Sequence, residues 1–582
     1  MHDSVDFSPP FLKNNMKYNY IGLACTFHDP AIAVVNSSGQ LVFAEAAERH
    51  FQTKRAFNCP PDTYVYINKI IESYCEPDAS IVVARSWSPQ FQKYLRPTNF
   101  IDVCRNAYYK LRWPNTSSPS FEPITHFILK SMANSVSNAS EGVRYYLKKT
   151  KQASIEVLGF NHHLTHAATA CYTSKFDEAV CAIIDGFGEW TSTGFYHYRN
   201  GKLIPLGAAR GSNSLGLFYG AICGTCGFDS EKGEEWKVMG LAGYGKRNDE
   251  VYQALSHLIR VDGLGLVGLR DLLNYPFWEL AKRADRADIA HTGQLVFEEK
   301  MREILQNLYT LGLSKNLVLG GGCALNSSYN GRVLENIPFD ELHVASAPGD
   351  DGNAIGAALL ACEKKSPGKI TIGSQQSAYL GSRMSETSMA NLIRFSSPEK
   401  LSHHPGTIHQ VAARLLAEGR IIGWSRGRAE FGPRALGNRS ILADPRSPDV
   451  KERINSVVKF REEFRPFAPS ILHEHGPEYF ENYQESRYME RTLRFRQDVI
   501  SKVPGVVHVD QTGRLQTVRR EWNEDFYLLI AEFYRLSGVP LVLNTSFNVM
   551  GKPIIHTVED AIAVFHTSGL DDLFLEDYHI RK

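Results

Sequence analysis

Two stretches of the chain follow one plan. The first, "YIGLACTFHDPAIAVVNSSGQLVFAEAAE" (20–48), sets two apolar runs about the polar turn "NSSGQ" and carries His28 and Asp29 at the first break. The second, "AVCAIIDGFGEWTSTGFYHYRNGKLIPL" (179–206), runs an apolar segment into Asp185 and a glycine turn before another apolar segment. Runs this short, rich in β-branched and aromatic residues and bounded by Gly, Asn and Ser, read as strands. A unit of strand, Asp/His turn and strand that occurs twice predicts an internally duplicated α/β fold.

The remaining segments extend that pattern. "PPDTYVYINKIIESYC" (60–75) has helical apolar spacing after two prolines, and "SIVVA" (80–84) reads as a buried strand. Residues 86–150, rich in aromatic and basic side chains, are expected to form an insert or cap. "NLVLGGGCALNSSYNGRV" (316–333) reads as strand, glycine loop and helix, and "ELHVASAPGDDGNAIGAALLACEKK" (341–365) as strand, loop and small-residue helix. From 366 to 405 no apolar period is visible, so a linker or connecting arm is expected. "TIHQVAARLLAEGRIIGW" (407–424) opens a new helix–strand unit. The expected domains are a leader at 1–17, a larger domain at 18–365 and a smaller one at 406–582, and 582 residues demand more than one core.

Composition narrows the function classes. With 64 basic and 63 acidic residues the net charge is +1, which implies neither nucleic acid nor a membrane surface as a bulk partner. The first fifteen residues lack the apolar core of a signal peptide, and no apolar run reaches membrane-spanning length. The ten cysteines are scattered between Cys25 and Cys362, which suits a reducing cytoplasm. Cys223 and Cys226 form a lone CxxC, which reads as two packed thiols because a zinc ribbon needs a second pair.

"NHHLTHAATA" (161–170) places His162 and His166 four residues apart, on one face of a helix. Asp185 ends the next strand, and Asp350 and Asp351 sit in "PGDDGNA". Two imidazoles with carboxylates suit Fe(II), Mn(II) or Zn(II). A solvated histidine cluster is the other reading of the same spacing. The loop "LGGGCALN", with Gly321, Gly322 and Asn326, offers backbone amides to a phosphate or is simply a tight turn. Lys237, in "GEEWKVMGLAGYGK", reaches a phosphate or lies on a surface loop.

Basic residues become organised near the C-terminus. "GWSRGRAEFGPRALGNRSILADPR" holds Arg426, Arg428, Arg434 and Arg439, "NSVVKFREEFRPFAPS" holds Lys459, Arg461 and Arg465, and "DQTGRLQTVRR" holds Arg514. "LVLNTSFNVMGKPI" runs a buried strand into Asn544, Thr545, Ser546 and Asn548. Arginines set among Phe, Leu, Gly and Pro fit a cleft better than a mixed-charge surface, and their forks match phosphate oxygens. A polyphosphate pocket is expected. Nucleic-acid binding is the alternative, although no stacking-aromatic pattern accompanies the arginines.

The blocks "GRAEFGPRALGNRSILADPR", "INSVVKFREEFRPFAPS" and "LNTSFNVMGKPI", with "FHDPAIAVV", "NHHLTHAATA", "IIDGFGEW", "EEWKVMGLAGYG", "GGGCALN" and "PGDDGNAIGAA" before them in order, resemble the O-carbamoyltransferases of the nodulation-factor, cephamycin and tobramycin type. The resemblance covers roughly residues 20–582. It implies a duplicated actin/sugar-kinase-like domain, similar to threonylcarbamoyl transferase, followed by a YrdC-like α/β domain. It implies that carbamoyl phosphate and ATP give carbamoyl adenylate in the smaller domain, and that the larger domain passes the carbamoyl group to a hydroxyl of a small-molecule natural product. By the same resemblance His162, His166, Asp185 and Asp350 match metal ligands, for iron, and His28 matches a base near the acceptor. Arg434, Lys459, Arg465, Arg514 and Ser546 match the carbamoyl phosphate and ATP pocket. Arg439, Arg461, Asn544 and Asn548 fall in the same blocks and are expected to contact the nucleotide. Lys237, Gly321, Gly322 and Asn326 match the nucleotide side of the larger domain. Mg²⁺ accompanies ATP, and a homodimer is compatible. Two departures stand out. "ERHFQTKRAF" replaces the family's usual basic stretch, and Cys323 follows the glycines where an aliphatic residue is usual. Aminoglycoside, macrolide, β-lactam and nodulation-factor acceptors all fit.

Three rivals share parts of the pattern. A kinase of the actin/sugar-kinase superfamily explains the glycine loops and Asp185 but not the arginine-rich region. A nucleotide-sensing scaffold predicts ATP binding without turnover. A tRNA threonylcarbamoylation-type enzyme needs an RNA-basic surface that the net charge does not suggest.

Overall fold

A computed structural model of the protein describes residues 16–95, 121–150 and 155–582, apart from 212, 269–271, 273, 274, 397, 398 and 463. The first repeat builds a sheet of β1 (Tyr18–Ala24), β2 (Ala31–Val35), β3 (Leu41–Ala46), β4 (Ser80–Arg85) and β5 (Glu156–Gly159) in the order β3-β2-β1-β4-β5. The strands β1, β2 and β3 pair antiparallel, and β4 and β5 add parallel to β1 and to each other. The second repeat contributes β6 (Glu178–Gly188), β7 (Thr191–Arg199) and β8 (Lys202–Gly207). A small hairpin of β9 (Ile259–Asp262) and β10 (Gly265–Gly268) follows, then β11 (Asn316–Gly320) and β12 (Glu341–Val344). Its order, β8-β7-β6-β11-β12, repeats the first sheet in both sequence and sense of pairing. The larger domain is thus a duplicated actin/sugar-kinase-like α/β unit.

Helices α1 (His162–Tyr172) and α2 (Asn353–Lys365) pack between the two sheets in a core built largely of alanine. Small residues let the backbones approach closely. A Cβ added to Gly356 of α2 would lie 1.9 Å from the Thr165 carbonyl oxygen of α1, and one added to Gly22 of β1 would lie 1.9 Å from that of Ala354. Thr169 Oγ1 donates to the Gly352 carbonyl at 2.7 Å and pins the start of α2 to α1.

Part of the expected insert, 96–120, lies outside the described residues. Its described helices, including Glu141–Lys149, pack Met132, Val136, Val143 and Leu147 against Ile21, Leu23 and Val83 of the first sheet. They complete that sheet's outer core and do not stand apart as a cap.

The third sheet contains β13 (Leu401–His403), β14 (Ile422–Ser425), β15 (Arg439–Ala443), β16 (Ala468–Leu472), β17 (Arg491–Arg494), β18 (Thr512–Val518), β19 (Leu541–Ser546), β20 (Asp572–Leu575) and β21 (Tyr578–Arg581). Its order is β13-β21-β20-β14-β15-β19-β16-β18-β17, mixed in sense, and helices such as Glu524–Ser537 cover it. The stretch expected to be a linker is fastened instead. Ala44 N–H donates to the Leu380 carbonyl at 3.1 Å, Ser382 N–H to Glu45 Oε2 at 2.8 Å, and Leu41 N–H to Gln375 Oε1 at 2.8 Å. It then forms the helix Glu386–Phe395, buries Met384 and Met389 in the third core and joins the sheet edge as β13. The bonds that fasten it to the first sheet join residues far apart in sequence, so no local period announces them.

The CxxC cysteines pack as thiols: Cys223 and Cys226 are buried in the second core.

Candidate functional site

Asn161 caps α1 by accepting the Leu164 N–H at 3.1 Å, which starts the helix just where the histidines begin. His162 and His166 then stand one turn apart, edge to face, with their Nε2 atoms 3.2 Å from each other. Asp185 Oδ2, from β6, lies 3.4 Å from His162 Nε2 and 3.6 Å from His166 Nε2. Asp350 Oδ1, from the turn ahead of α2, lies 3.5 and 3.3 Å from the same two nitrogens. The four ligand atoms all fall within 4.8 Å of one another. The histidines are 1% and 2% exposed, so the solvated-cluster reading does not hold.

The electrostatics match a cation-binding centre. Burial disfavours charge on His162, but Asp350 and Asp185 outweigh it and raise the imidazole to about 10. Burial acts on Asp350 and Asp185 too, yet the histidines hold both carboxyls well below the ordinary range. Two nitrogens and two carboxylate oxygens converging in a buried space fit a divalent transition metal.

Surrounding residues hold these ligands in place. Gly322 N–H donates to Asp185 Oδ1 at 2.9 Å, so the glycine loop orients a ligand. Glu189 Oε1 accepts the His162 N–H at 3.2 Å and the Ser88 N–H at 2.8 Å, and the Trp87 ring lies 4.7 Å from that of His162. Asn353 Nδ2 stands 3.1 Å from His166 Nε2. Sequence reasoning missed Glu189, Trp87 and Asn353. Glu189 and Asn353 lie within the blocks that carry the ligands, and nothing local marks Trp87.

His28 sits beside this centre. Its Nδ1 is 2.9 Å from Asp29 Oδ2 and 3.7 Å from Asp350 Oδ2. Arg55, within the atypical "ERHFQTKRAF" stretch, approaches Asp29 Oδ2 at 3.1 Å and donates to the Ser230 and Glu231 carbonyls. That stretch therefore still reaches the His28 side of the site.

The second cluster forms where the central strands of the third sheet meet its loops. Arg434 lies in the β14–β15 loop, which Glu430 shapes by accepting the N–H groups of Leu436, Asn438 and Arg439 at 2.7, 2.8 and 3.0 Å. Lys459 ends the helical segment Val450–Lys459. It donates to Asn548 Oδ1 at 2.7 Å, to the Asn548 carbonyl at 2.9 Å, and to Ser546. Arg461 donates to Asn455 Oδ1 at 2.7 Å, and Arg514 projects from β18. Burial alone draws the Arg434 guanidinium down to about 10. Burial, then Arg465, brings Arg461 to about 9. Burial, then neighbouring cations, holds Lys459 and Arg514 well below their ordinary values. Crowded cations with little carboxylate compensation form a site for a multivalent anion.

Both clusters share one cavity of about 1170 Å³. Its wall includes His28, Asp185, Gly322, Asn326 and Asp350 from the larger domain. From the smaller it includes Arg434, Lys459, Arg461, Arg465, Arg514, Asn544, Ser546 and Asn548. His162 and His166 lie behind the two aspartates, off the wall. Gly321 is off it too. Asn326 is on the wall, where its side-chain amide pairs with that of Gln294 at 3.0 and 3.1 Å.

Two expected nucleotide contacts are placed otherwise. Arg439 is fully buried, and its guanidinium donates to the carbonyls of Ser382, Arg426, Gly427 and Asn438 at 2.8–3.1 Å. Its Nη donors are consumed in joining the arm to the loop, which corrects the expectation that it faces a nucleotide. Lys237 is off the wall as well. Its Nζ lies 2.6 Å from Glu234 Oε1 and 3.2 Å from Glu462 Oε1, so it bridges the domains and lies neither against a phosphate nor on a surface loop.

Comparison with known proteins agrees with this architecture. Residues 19–359 match the family model described as carbamoyltransferase N-terminus, and residues 413–582 match carbamoyltransferase C-terminus. The uncharacterized protein sll1178 of Synechocystis sp. is 31% identical over 97% of this chain and 96% of its own. Nodulation protein NolO of Bradyrhizobium diazoefficiens is 36% identical over 72% of this chain and 79% of its own. Nodulation protein NolNO of Sinorhizobium fredii is 36% identical over 72% of this chain and 63% of its own. Two family models that between them span both domains, and a relative that aligns along nearly the whole length, lead to one conclusion: this chain is an enzyme of the carbamoyltransferase family.

Proposed function

We propose that the protein is an ATP-dependent O-carbamoyltransferase that makes carbamoyl adenylate and hands the carbamoyl group to a hydroxyl of a small molecule. The observation that supports this most is the single cavity walled by a His/Asp cluster suited to a cation on one side and by crowded guanidinium groups on the other.

In the first reaction carbamoyl phosphate, ATP and water give carbamoyl adenylate, pyrophosphate and phosphate. Arg434, Arg461, Arg514 and Lys459 neutralise and align the phosphate oxygens, which is most of what phosphoryl chemistry asks of a protein. Mg²⁺ enters with the nucleotide. In the second reaction the acceptor oxygen bonds to the carbamoyl carbon, the bond from that carbon to the adenylate oxygen breaks, and AMP leaves. His28 takes the hydroxyl proton while Asp29 holds the ring through Nδ1. A divalent metal held by His162, His166, Asp185 and Asp350, with iron favoured by the family resemblance, would supply Lewis-acid polarisation of a carbonyl or phosphate oxygen.

The test is isotope exchange between ATP and pyrophosphate driven by carbamoyl phosphate, combined with a mass-spectrometric screen of hydroxylated metabolites for the carbamoyl increment. Formation of ADP in place of AMP would favour a kinase and sink this reading.

A further inference from the structure

The polar groups of the second cluster are nearly all donors. Guanidinium and ammonium groups donate and cannot accept. They suit the phosphate and carbonyl oxygens of carbamoyl phosphate but offer nothing to its NH₂. The neighbouring acceptor Asn548 Oδ1 is already taken, by Lys459 Nζ at 2.7 Å and by Ser546 Oγ at 2.8 Å.

Asn544 is different. It is 1% exposed, it belongs to the cavity wall, and its Oδ1 has no partner among the described residues. The orientation of its amide follows from its surroundings. Asn544 Nδ2 faces the Ala435 carbonyl at 3.2 Å, which can only accept. It also faces Gln516 Oε1 at 3.0 Å, and Gln516 is itself oriented by donating Nε2 to the Leu436 carbonyl at 2.9 Å. Ser470 Oγ, 3.0 Å from Asn544 Nδ2, passes its own proton to Gln516 Oε1 at 2.6 Å. A flipped Asn544 would set oxygen against carbonyl oxygen. The network therefore consumes the amide nitrogen, which reaches the carbonyl of Ala435 next to Arg434, and leaves the oxygen as a spare acceptor. A buried acceptor without a donor is costly, and a ligand N–H removes that cost.

We propose that Asn544 Oδ1 accepts a hydrogen bond from the carbamoyl NH₂ and so selects carbamoyl phosphate over acyl phosphates that carry a methyl group there. The inference rests on the adenylation reading above. A site built around one donor rejects the isostere that lacks it, because the protein acceptor then stays unpaired.

The experiment compares carbamoyl phosphate with acetyl phosphate as drivers of ATP–pyrophosphate exchange, first in the wild-type protein. A preference of about a hundredfold or more for carbamoyl phosphate is expected. Comparable exchange with both donors overturns the role of Asn544 and leaves the adenylation reading standing. No exchange with carbamoyl phosphate overturns both. In Asn544→Ser, checked for folding by its melting curve, the preference narrows by about tenfold or more. A parallel loss with both donors, at an unchanged ratio, would mean that Asn544 only supports the sheet. Should the variant not fold, the wild-type comparison still decides.

Discussion

Lys237 of the larger domain and Glu462 of the smaller lie 3.2 Å apart, Nζ to Oε1, and Glu462 Oε2 pairs in turn with Arg465 at 2.6 Å. Lys237 is 6% exposed, so this bridge operates in a partly dry interface, close to where the anion-binding segment begins. Glu462 thereby ties the docking of the two domains to the position of an arginine on the cavity wall.

A double-mutant cycle on Lys237→Met and Glu462→Gln measures that tie. Each single change is expected to destabilise the protein, and the pair to show a coupling of about 1 kcal/mol in thermal or urea unfolding. Strict additivity would mean that the contact carries no energy.

Removing one imidazole separates the two half-reactions. His162→Ala is expected to lose the bound transition metal, measured by elemental analysis, and to lose carbamoyl transfer. ATP–pyrophosphate exchange should stay within about threefold of wild type, because the phosphate-binding groups are untouched. Undiminished metal content would remove His162 from the ligand set.

The crowded cations make a prediction about anions. Arg434 and Arg461 both repel Arg514 in the free protein, so pyrophosphate should raise the melting temperature of the wild type. Arg514→Ala is expected to lose most of that rise and to abolish exchange. Normal exchange in this variant would take Arg514 out of the pocket.

A pH effect follows from Asp62, which belongs to neither the His/Asp cluster nor the cavity wall. Its carboxylate accepts the N–H groups of Ser140 and Val143, both at 3.1 Å, yet burial raises it to about 6. Between about pH 4 and 6 the folded protein binds a proton that the unfolded chain has released. The group therefore favours folding at low pH, and that contribution is lost as pH rises through this window, by on the order of 3 kcal/mol. Asp62→Asn cannot ionise, so its stability relative to wild type should improve between pH 4.5 and pH 8, as read from paired melting curves. A pH-independent difference would show that Asp62 titrates normally.

The tertiary placements also show where local pattern ends. The histidine spacing in "HHLTH", the strand that ends in Asp185 and the loop that holds Asp350 were all legible, because periodicity acts over a few residues. They marked His162, His166, Asp185 and Asp350 as residues but could not bring strand and helix together. Helix–helix contact at Gly356 and Thr165, and the packing of both helices between matched sheets, does that.

The chain's sequence by itself determined the repeated strand units, the paired histidines and the basic blocks, since each is written within one continuous stretch of the chain. Only the tertiary structure decided which members of those blocks face the cavity. Arg434 and Arg439 stand in one glycine-rich run, yet one reaches the wall and the other spends its Nη donors on four carbonyls. Lys237 turned from an expected phosphate contact into a bridge between domains, and the segment 366–405 from a linker into a strap and a sheet edge. The physical reason is common to all three. A buried donor must find an acceptor, and the acceptors that claimed these groups come from parts of the chain that meet only once it has folded.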